Sequence, residues 1–333
     1  MESFQRIAVT MGDPAGVGPE IIVKSFSQYP LPASSRVVVI GDVCTLERAA
    51  RLWATGLSIV PVTSFPELPA EKNQLCVLDP NTMSEDIAPG VASLAGGSAS
   101  VEYIKKAVQM ALQQEIDIIV TAPISKESIH KAGHHYPGHT ELLGELTGAS
   151  KTVLMLAGKK LRVALVTTHA SIQDVPGLIT TEAIYDTLKL VNNWLVRHVT
   201  AQPRIAVVGL NPHCGDGGVF GKEEAETIVP AIEKAQKEGI LAEGPFSADA
   251  LFSRTIQHDA VIAMYHDQGM IPVKMESQGH AINITLGLPI LRISVDHGTA
   301  FDIAWKGIAD PTSMINVLQS AAQFSKSACV GKG

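Results

Sequence analysis

The sequence predicts an α/β fold built on a largely parallel sheet. Two observations carry this expectation. Short apolar runs rich in Val and Ile alternate with longer segments of helical periodicity, the pattern of repeated strand–helix units. The apolar runs are also continuous, not alternating, as expected of strands covered on both faces. A length of 333 residues suits about two domains.

Taken in order, the chain opens with a strand-like lead (Ile7, Ala8, Val9), a loop with three glycines, and an apolar run that starts at Pro19-Glu20. Further strands are expected at 36–42, 117–123, 161–169, 204–213 and 259–266, each bounded by turn residues. Val101, Ile104, Val108, Ala111 and Leu112 share one face at helical spacing. Residues 180–196 and 222–237 read as helices, with Gly239 as a stop for the second. There is no internal repeat, low-complexity tract or obvious linker.

Apolar residues make up 46% of the chain and charged residues 18%, with a net charge of −7. No Lys/Arg block favours nucleic acid or an anionic membrane. Cys44, Cys76, Cys214 and Cys329 are scattered, without a C-x-x-C pair, and read as reduced thiols. The start, MESFQR, lacks the features of a signal peptide. No apolar run approaches the roughly 18–20 residues of a membrane span. A cytoplasmic protein is expected.

The opening loop is not a dinucleotide finger. Gly12, Gly16 and Gly18 are spaced G-x-x-x-G-x-G, whereas the Rossmann finger needs G-x-G-x-x-G. Nor is it a P-loop, because Pro19-Glu20 stands where G-K-[ST] would have to end. Pro19 suits the first turn of a helix, and Glu20 suits the helix dipole but would repel a phosphate there.

Histidines give a stronger signal. His169, His213 and His266 each stand just past an apolar strand, and ligands of open α/β sheets gather outside the carboxyl ends of strands. Three imidazoles delivered there suit a divalent metal with open positions for substrate or water. Cys214 adjoins His213, but neighbouring residues seldom point the same way, so it is left out of the set. An anion seat is expected where "YPGHTELL" turns into a helix at His139 and Thr140. Lys274, Asn283 and Arg292 flank "NITLGLP". Arg292 lies inside the apolar run "PILRIS", where an unpaired charge is costly, so a ligand or buried partner is expected for it. The glycine-rich "HCGDGGVFGKEE" is either a surface loop or an active-site cover.

The motifs "MGDPAGVGPE", "PGHTELL", "TTH", "NPHCGDGGVFGKEE", "AMYHDQG", "NITLGLP" and "DHGTAFDIA" resemble, in order, those of the 4-hydroxythreonine-4-phosphate dehydrogenase family. "GDPAGVGPE" and "DHGTAFDIAWKGIADP" are also similar to segments of isopropylmalate and isocitrate dehydrogenases. The resemblance implies the isocitrate/isopropylmalate dehydrogenase-like fold, a two-domain α/β/α homodimer that binds NAD or NADP without a Rossmann finger. The domains are expected at 1–124 with 281–333, and at 125–280, the second carrying dimer contacts.

By the same resemblance, His169, His213 and His266 match the family's metal ligands, drawn from both subunits, for a divalent ion such as zinc, cobalt or magnesium. His139, Thr140, Lys274, Asn283 and Arg292 match its substrate-binding positions. Gly298, Thr299 and Asp302 match the adenosine-side cofactor loop, and the opening loop is expected near the cofactor. The implied reaction oxidises the C3 hydroxyl of a 4-phosphorylated four-carbon hydroxy acid, and the 3-oxo product then loses CO2. Lys274, Asp249 and Asp267 are all candidates for the base.

The biosynthetic members often read P-x-D-T where this chain has "SADA". "HYPGHTELL" and "TAFDIAW" resemble a sister branch acting on 4-phospho-D-threonate or 4-phospho-D-erythronate. Two further readings are a phosphate acyltransferase, which shares the superfamily fold, and a non-catalytic sensor of a phosphorylated metabolite. The histidine trio speaks against both.

Overall fold

Each of the apolar runs forms a strand in a computed structural model of the chain, which describes residues 4–29, 32, 34–65, 73–83 and 87–324. Cys329 and the first three residues lie outside the described residues. The chain divides into two compact units, Met1–Thr152 with Leu288–Gly333, and Val153–Gly287.

In the first unit the elements run β1 (Gln5–Thr10), α1 (Gly18–Gln28), β2 (Ser35–Ile40), α2 (Val43–Trp53), β3 (Ser58–Val62), β4 (Gln74–Leu78), α3 (Leu94–Leu112), β5 (Ile118–Thr121), α4 (Lys126–Lys131) and α5 (His139–Thr147). In the second they are β6 (Val153–Ala157), β7 (Arg162–Leu165), α6 (Val175–Leu178), α7 (Thr181–His198), β8 (Arg204–Val208), α8 (Val229–Lys237), β9 (Leu241–Phe246), α9 (Ala248–Phe252), β10 (Ala260–Ala263), α10 (His266–Ser277) and β11 (Ile282–Leu286). β12 (Leu291–Ser294) and α11 (Thr312–Gln323) complete the first unit.

The strands of the first unit lie in the order β3-β4-β2-β1-β5-β12, and their pairings are parallel. Helices cover the central strands, so Ile7, Val9, Val39, Val120 and Ile293 are wholly buried. Burying each such side chain stabilises the fold by about 1.5–3 kcal/mol, which is why these strands read as unbroken apolar runs. Edge strand β3 departs from that pattern. It holds Pro61 and is partly exposed along its length, as tolerated only at an edge.

Local chemistry fixes the helix starts. Asp42 caps α2 by accepting the Thr45 N–H at 2.6 Å, and Ser93 caps α3 by accepting from Gly96 at 3.0 Å. α3 then packs on α4 with backbones in contact, for a β-carbon on Gly97 would collide with the Ser128 carbonyl. Glu20 in α1 is fully buried. It accepts from Lys24 at 2.7 Å and from the Gly307 and Ala309 N–H groups at 3.2 and 2.9 Å. Its carboxyl thus ties α1 to the segment before α11.

In the second unit the order is β11-β6-β7-β10-β8-β9. β6 is antiparallel to both neighbours, and β7, β10, β8 and β9 run parallel. Its core includes Val163, Leu165, Ala206, Val208, Val261, Met270 and Val273. The segment predicted as a helix over 222–237 begins differently. A π-helical turn occupies Glu224–Ile228 before α8 starts. No helix among the described residues is long and apolar enough to cross a membrane.

Candidate active site

Parallel strands deliver their carboxyl ends to one edge. β7, β10 and β8 are neighbours, and His169, His213 and His266 follow these three strands. The ends of β7 and β10 are laced together. Val166 N–H donates to Ala263 O at 2.9 Å, and the Thr167 N–H and hydroxyl both donate to Met264 O, at 3.1 and 2.8 Å. The His169 and His266 rings consequently lie 6.1 Å apart between centroids. His266 Nδ1 is 2.7 Å from Asp267 Oδ1, and a donated Nδ1–H leaves Nε2 as the free nitrogen.

His213 sits in an unusual turn. Residues His213, Cys214, Gly215, Asp216 and Gly217 all have φ between 45° and 75°. Left-handed backbone costs a residue with a β-carbon roughly 1–2 kcal/mol, and His213, Cys214 and Asp216 all bear one. Among the described residues no group of three His, Cys, Asp or Glu side chains is gathered to hold a metal ion. In donor chemistry and in placement at adjacent strand ends, the three imidazoles fit a borderline divalent metal. Burial raises the Cys214 thiol above its ordinary pKa.

Of the three candidate bases, Asp249 and Asp267 share a cleft, whereas Lys274 stands in the last turn of α10, at the other end of the helix from His266. Asp249 accepts from the Ser247 hydroxyl. That bond and the Ala250 N–H hold its pKa below the usual value. Asp249 and Asp267 line one cleft of about 1070 Å³, together with Phe252, Tyr265, Ile271 and Met275. Lys274 is exposed in the last turn of α10.

The first unit brings together Arg292 and His139, two of the residues expected at an anion seat. Arg292 on β12 is 3% exposed, and its Nη2 and Nε donate to Thr121 Oγ1 at 2.6 and 3.2 Å. Burial pulls its pKa down to about 9, opposed by Glu141. His139 and Thr140 begin α5, where free N–H groups favour an anion. Burial and the charge of Arg292 push the His139 pKa well below 6.5. His139 Nε2 is buried and has no partner among the described residues. In the second unit Asn283 lies on β11 opposite Leu156, and its buried Oδ1 likewise lacks a described partner. Buried polar atoms are nearly always paired, so both mark places where a ligand group would be satisfied.

The opening loop emerges at the carboxyl edge of β1, beside those of β5 and β12. Asp13 N–H donates to Pro123 O at 2.9 Å, and Val17 N–H donates to Thr299 O at 3.0 Å. The loop therefore lies against the segment with Gly298, Thr299 and Asp302. Gly298 and Asp302 are exposed, while Thr299 is half-buried. Trp305 anchors this segment. Its Nε1 donates to Pro14 O at 2.9 Å, its ring lies 5.3 Å from that of Trp53, and Arg48 stacks over it at 4.6 Å. Asp13 is fully buried. Its Oδ1 accepts the Ala15 N–H at 2.9 Å, and burial raises its pKa.

Sequence reasoning passed over Thr121, Glu141, Asn211, Glu224 and Gln268. Glu224 offered one signal, an acidic pair after a glycine-rich loop. The others gave none: Thr121 and Glu141 act on the Arg292 side chain, Asn211 on the Glu223 and Glu224 carboxylates, and Gln268 joins Met264 to Gly209, contacts made only by the fold.

Residues 33–321 match the family described as "Pyridoxal phosphate biosynthetic protein PdxA". The chain is 48% identical to a 4-hydroxythreonine-4-phosphate dehydrogenase of Trichlorobacter lovleyi, over 96% of this chain and 97% of that protein. It is 43% identical to a D-threonate 4-phosphate dehydrogenase of Cupriavidus necator, over 96% and 97%. A crystal structure of 4-hydroxythreonine-4-phosphate dehydrogenase from Klebsiella pneumoniae is similar with a TM-score of 0.90 at 38% identity, covering 96% of this chain and 98% of that one. With a family match along most of its sequence, and such relatives along nearly its whole length, the chain belongs to the PdxA family of pyridoxal phosphate biosynthetic proteins.

Proposed function

We infer that the chain is an oxidoreductase of a CH–OH group, a dehydrogenase of a 4-phosphorylated four-carbon hydroxy acid. Its reading is that of the 4-hydroxythreonine-4-phosphate dehydrogenases, with loss of CO2 from the 3-oxo product. The observation that carries it is the delivery of His169, His213 and His266 to adjacent strand ends in a chain so similar to named dehydrogenases. The three imidazoles would hold a divalent metal, and the loop with Gly298, Thr299 and Asp302 would take NAD or NADP. When bound, the metal acidifies the substrate hydroxyl and the nicotinamide accepts the hydride.

The chain's own residues bind and orient. Arg292, His139 and Thr140 receive the substrate's anionic groups, and Lys274 and Asn283 supply further polar contacts. A base takes the hydroxyl proton; Lys274, Asp249 and Asp267 are the groups to test. The exposed apolar Ile271 and Met275 on α10 suit a contact with a second copy, in line with the homodimer and shared metal centre that the family resemblance implies.

The second reading, oxidation of 4-phospho-D-threonate or 4-phospho-D-erythronate, is supported by the D-threonate relative and by the "HYPGHTELL" segment. The deciding experiment follows NADH formation with added divalent metal on 4-phosphohydroxy-L-threonine and 4-phospho-D-threonate in parallel. Turnover of either establishes the chemistry, and the larger kcat/KM assigns the branch. No reduced cofactor from either substrate, with NAD and with NADP supplied in turn, rejects the reading.

A further inference from the structure

We propose that Glu224 is the positioning residue of the metal centre, holding in place the left-handed turn that carries His213. The proposal rests on the reading of His213 as a metal ligand.

Glu224 lies inside the bend that the chain makes after β8. Its carboxyl is buried, at 6% exposure. Oε1 accepts the N–H groups of both Leu210 and Asn211, at 2.8 and 2.7 Å, and Oε2 accepts the Asn211 side-chain amide at 3.0 Å. The same amide donates to Glu223 at 2.7 Å. The bend closes around this carboxyl. A β-carbon on Gly209 would come within 3.0 Å of Glu224 Oε1 and 2.9 Å of Cys214 Sγ. One side chain thus fixes the two residues that lead into the turn.

Two further features point to the same role. Glu224 is the first residue of the π-helical turn Glu224–Ile228, and π turns are frequent at functional sites. Gln268, two residues after His266, bridges the strand ends. Its Oε1 accepts Met264 N–H and its Nε2 donates to Gly209 O, both at 2.7 Å. The ends of β8 and β10, which bear His213 and His266, are therefore held in register by side chains.

Left to itself, the run His213, Cys214, Asp216 would relax out of the left-handed region and swing the imidazole away. A backbone strained at a functional position persists only where its surroundings over-determine it, and the three bonds to Glu224 supply that determination. Removing a residue that orients a metal ligand typically weakens metal affinity about 10–100-fold.

The test is a Co2+ titration of the full-length protein, stripped by a chelator, followed by the visible absorption of the bound ion. Wild type, Glu224→Gln, His213→Ala and the double variant are compared, with apo-protein melting recorded for each. Glu224→Gln keeps the side-chain volume and one acceptor oxygen, but it removes the charge and sets an NH2 donor against the Asn211 amide. The expected result is Co2+ affinity weakened about tenfold or more, with an altered visible spectrum. In the His213→Ala background the same substitution changes nothing further, because Glu224 acts through His213.

Glu224→Gln binding within twofold of wild type with an unchanged spectrum overturns the proposal. So does an equal loss in both backgrounds, which would mark a general structural role. Should Glu224→Gln fail to fold, Glu224→Asp, which withdraws the carboxyl by one methylene, is read by the same outcomes. If wild type and His213→Ala bind Co2+ equally, the metal reading itself fails, and the proposal falls with it.

Discussion

Arg292 and His139 share one corner of the first unit, and each is a basic group pressed toward its neutral form. Burial lowers both, and the guanidinium lowers the imidazole further. An arriving anion relieves this at once, which is why a phosphate or carboxylate seat is the natural use of the pair. The linkage also has a definite sign. The folded pKa of His139 lies below its unfolded value of 6.5, so the unfolded chain binds the proton more readily. The stability this provides is complete above about pH 6.5 and is lost as the pH falls from there toward the depressed folded pKa. Replacing His139 with Gln should flatten the dependence in that window by up to about 1.4 kcal/mol per pH unit. Urea unfolding at several pH values checks it, and parallel curves for the two proteins would refute it. Arg292 was legible in the sequence because a charge inside an apolar run needs a reason. Its partner Thr121 was not, since the hydrogen bond joins residues 171 positions apart.

Among the elements, the central parallel strands were the most readable, because full coverage makes them continuous runs of Val and Ile. Strands β4, β6, β11 and β12 were not marked out in the sequence, and neither were the edge strands β3 and β9. β3 contains Pro61, and β9 is interrupted by Gly244-Pro245 and half-exposed, so neither shows a period or an unbroken run. The helix after the "HCGDGGVFGKEE" loop was placed correctly in outline. Its irregular start escaped notice because the Glu224 hydrogen bonds reach back 13 and 14 residues and leave no local pattern. Helix contact offers a sharper test. A β-carbon at Gly97 would collide with the Ser128 carbonyl oxygen. Gly97→Ala gains about 1 kcal/mol of helix propensity, yet forces α3 and α4 apart, at a cost of several kcal/mol when the obstacle is backbone. A net loss of about 2 kcal/mol is expected by chemical denaturation. A variant more stable than wild type would show that the helices can separate freely.

At the scale of the molecule, the net charge of −7 sets the anion seat in context. A phosphorylated substrate is also negative, so the overall field does not draw it in. On the proposed reading, recognition comes from short-range groups such as Arg292, which salt screens poorly because it is buried. The KM for the phosphorylated substrate should therefore hold steady or fall as salt rises from low to physiological concentration. A steep rise would reveal long-range attraction by cationic groups and contradict this account. The histidine placement was legible because parallel strands impose a common edge. The choice between an amine and a hydroxyl at C2 of the substrate was not, because no residue named in the sequence reads that group.

The anchoring of Trp305 has an optical consequence. The chain has three tryptophans, and two of them, Trp53 at the end of α2 and Trp305 just past the loop proposed for the cofactor, are 5.3 Å apart. Rings so close couple their excited states, giving a near-ultraviolet circular dichroism signal peculiar to this corner. Trp305 is also hydrogen-bonded to the Pro14 carbonyl, so its emission should follow movement of the opening loop. Because reduced nicotinamide absorbs where tryptophan emits, cofactor occupancy becomes readable by energy transfer, with no label attached.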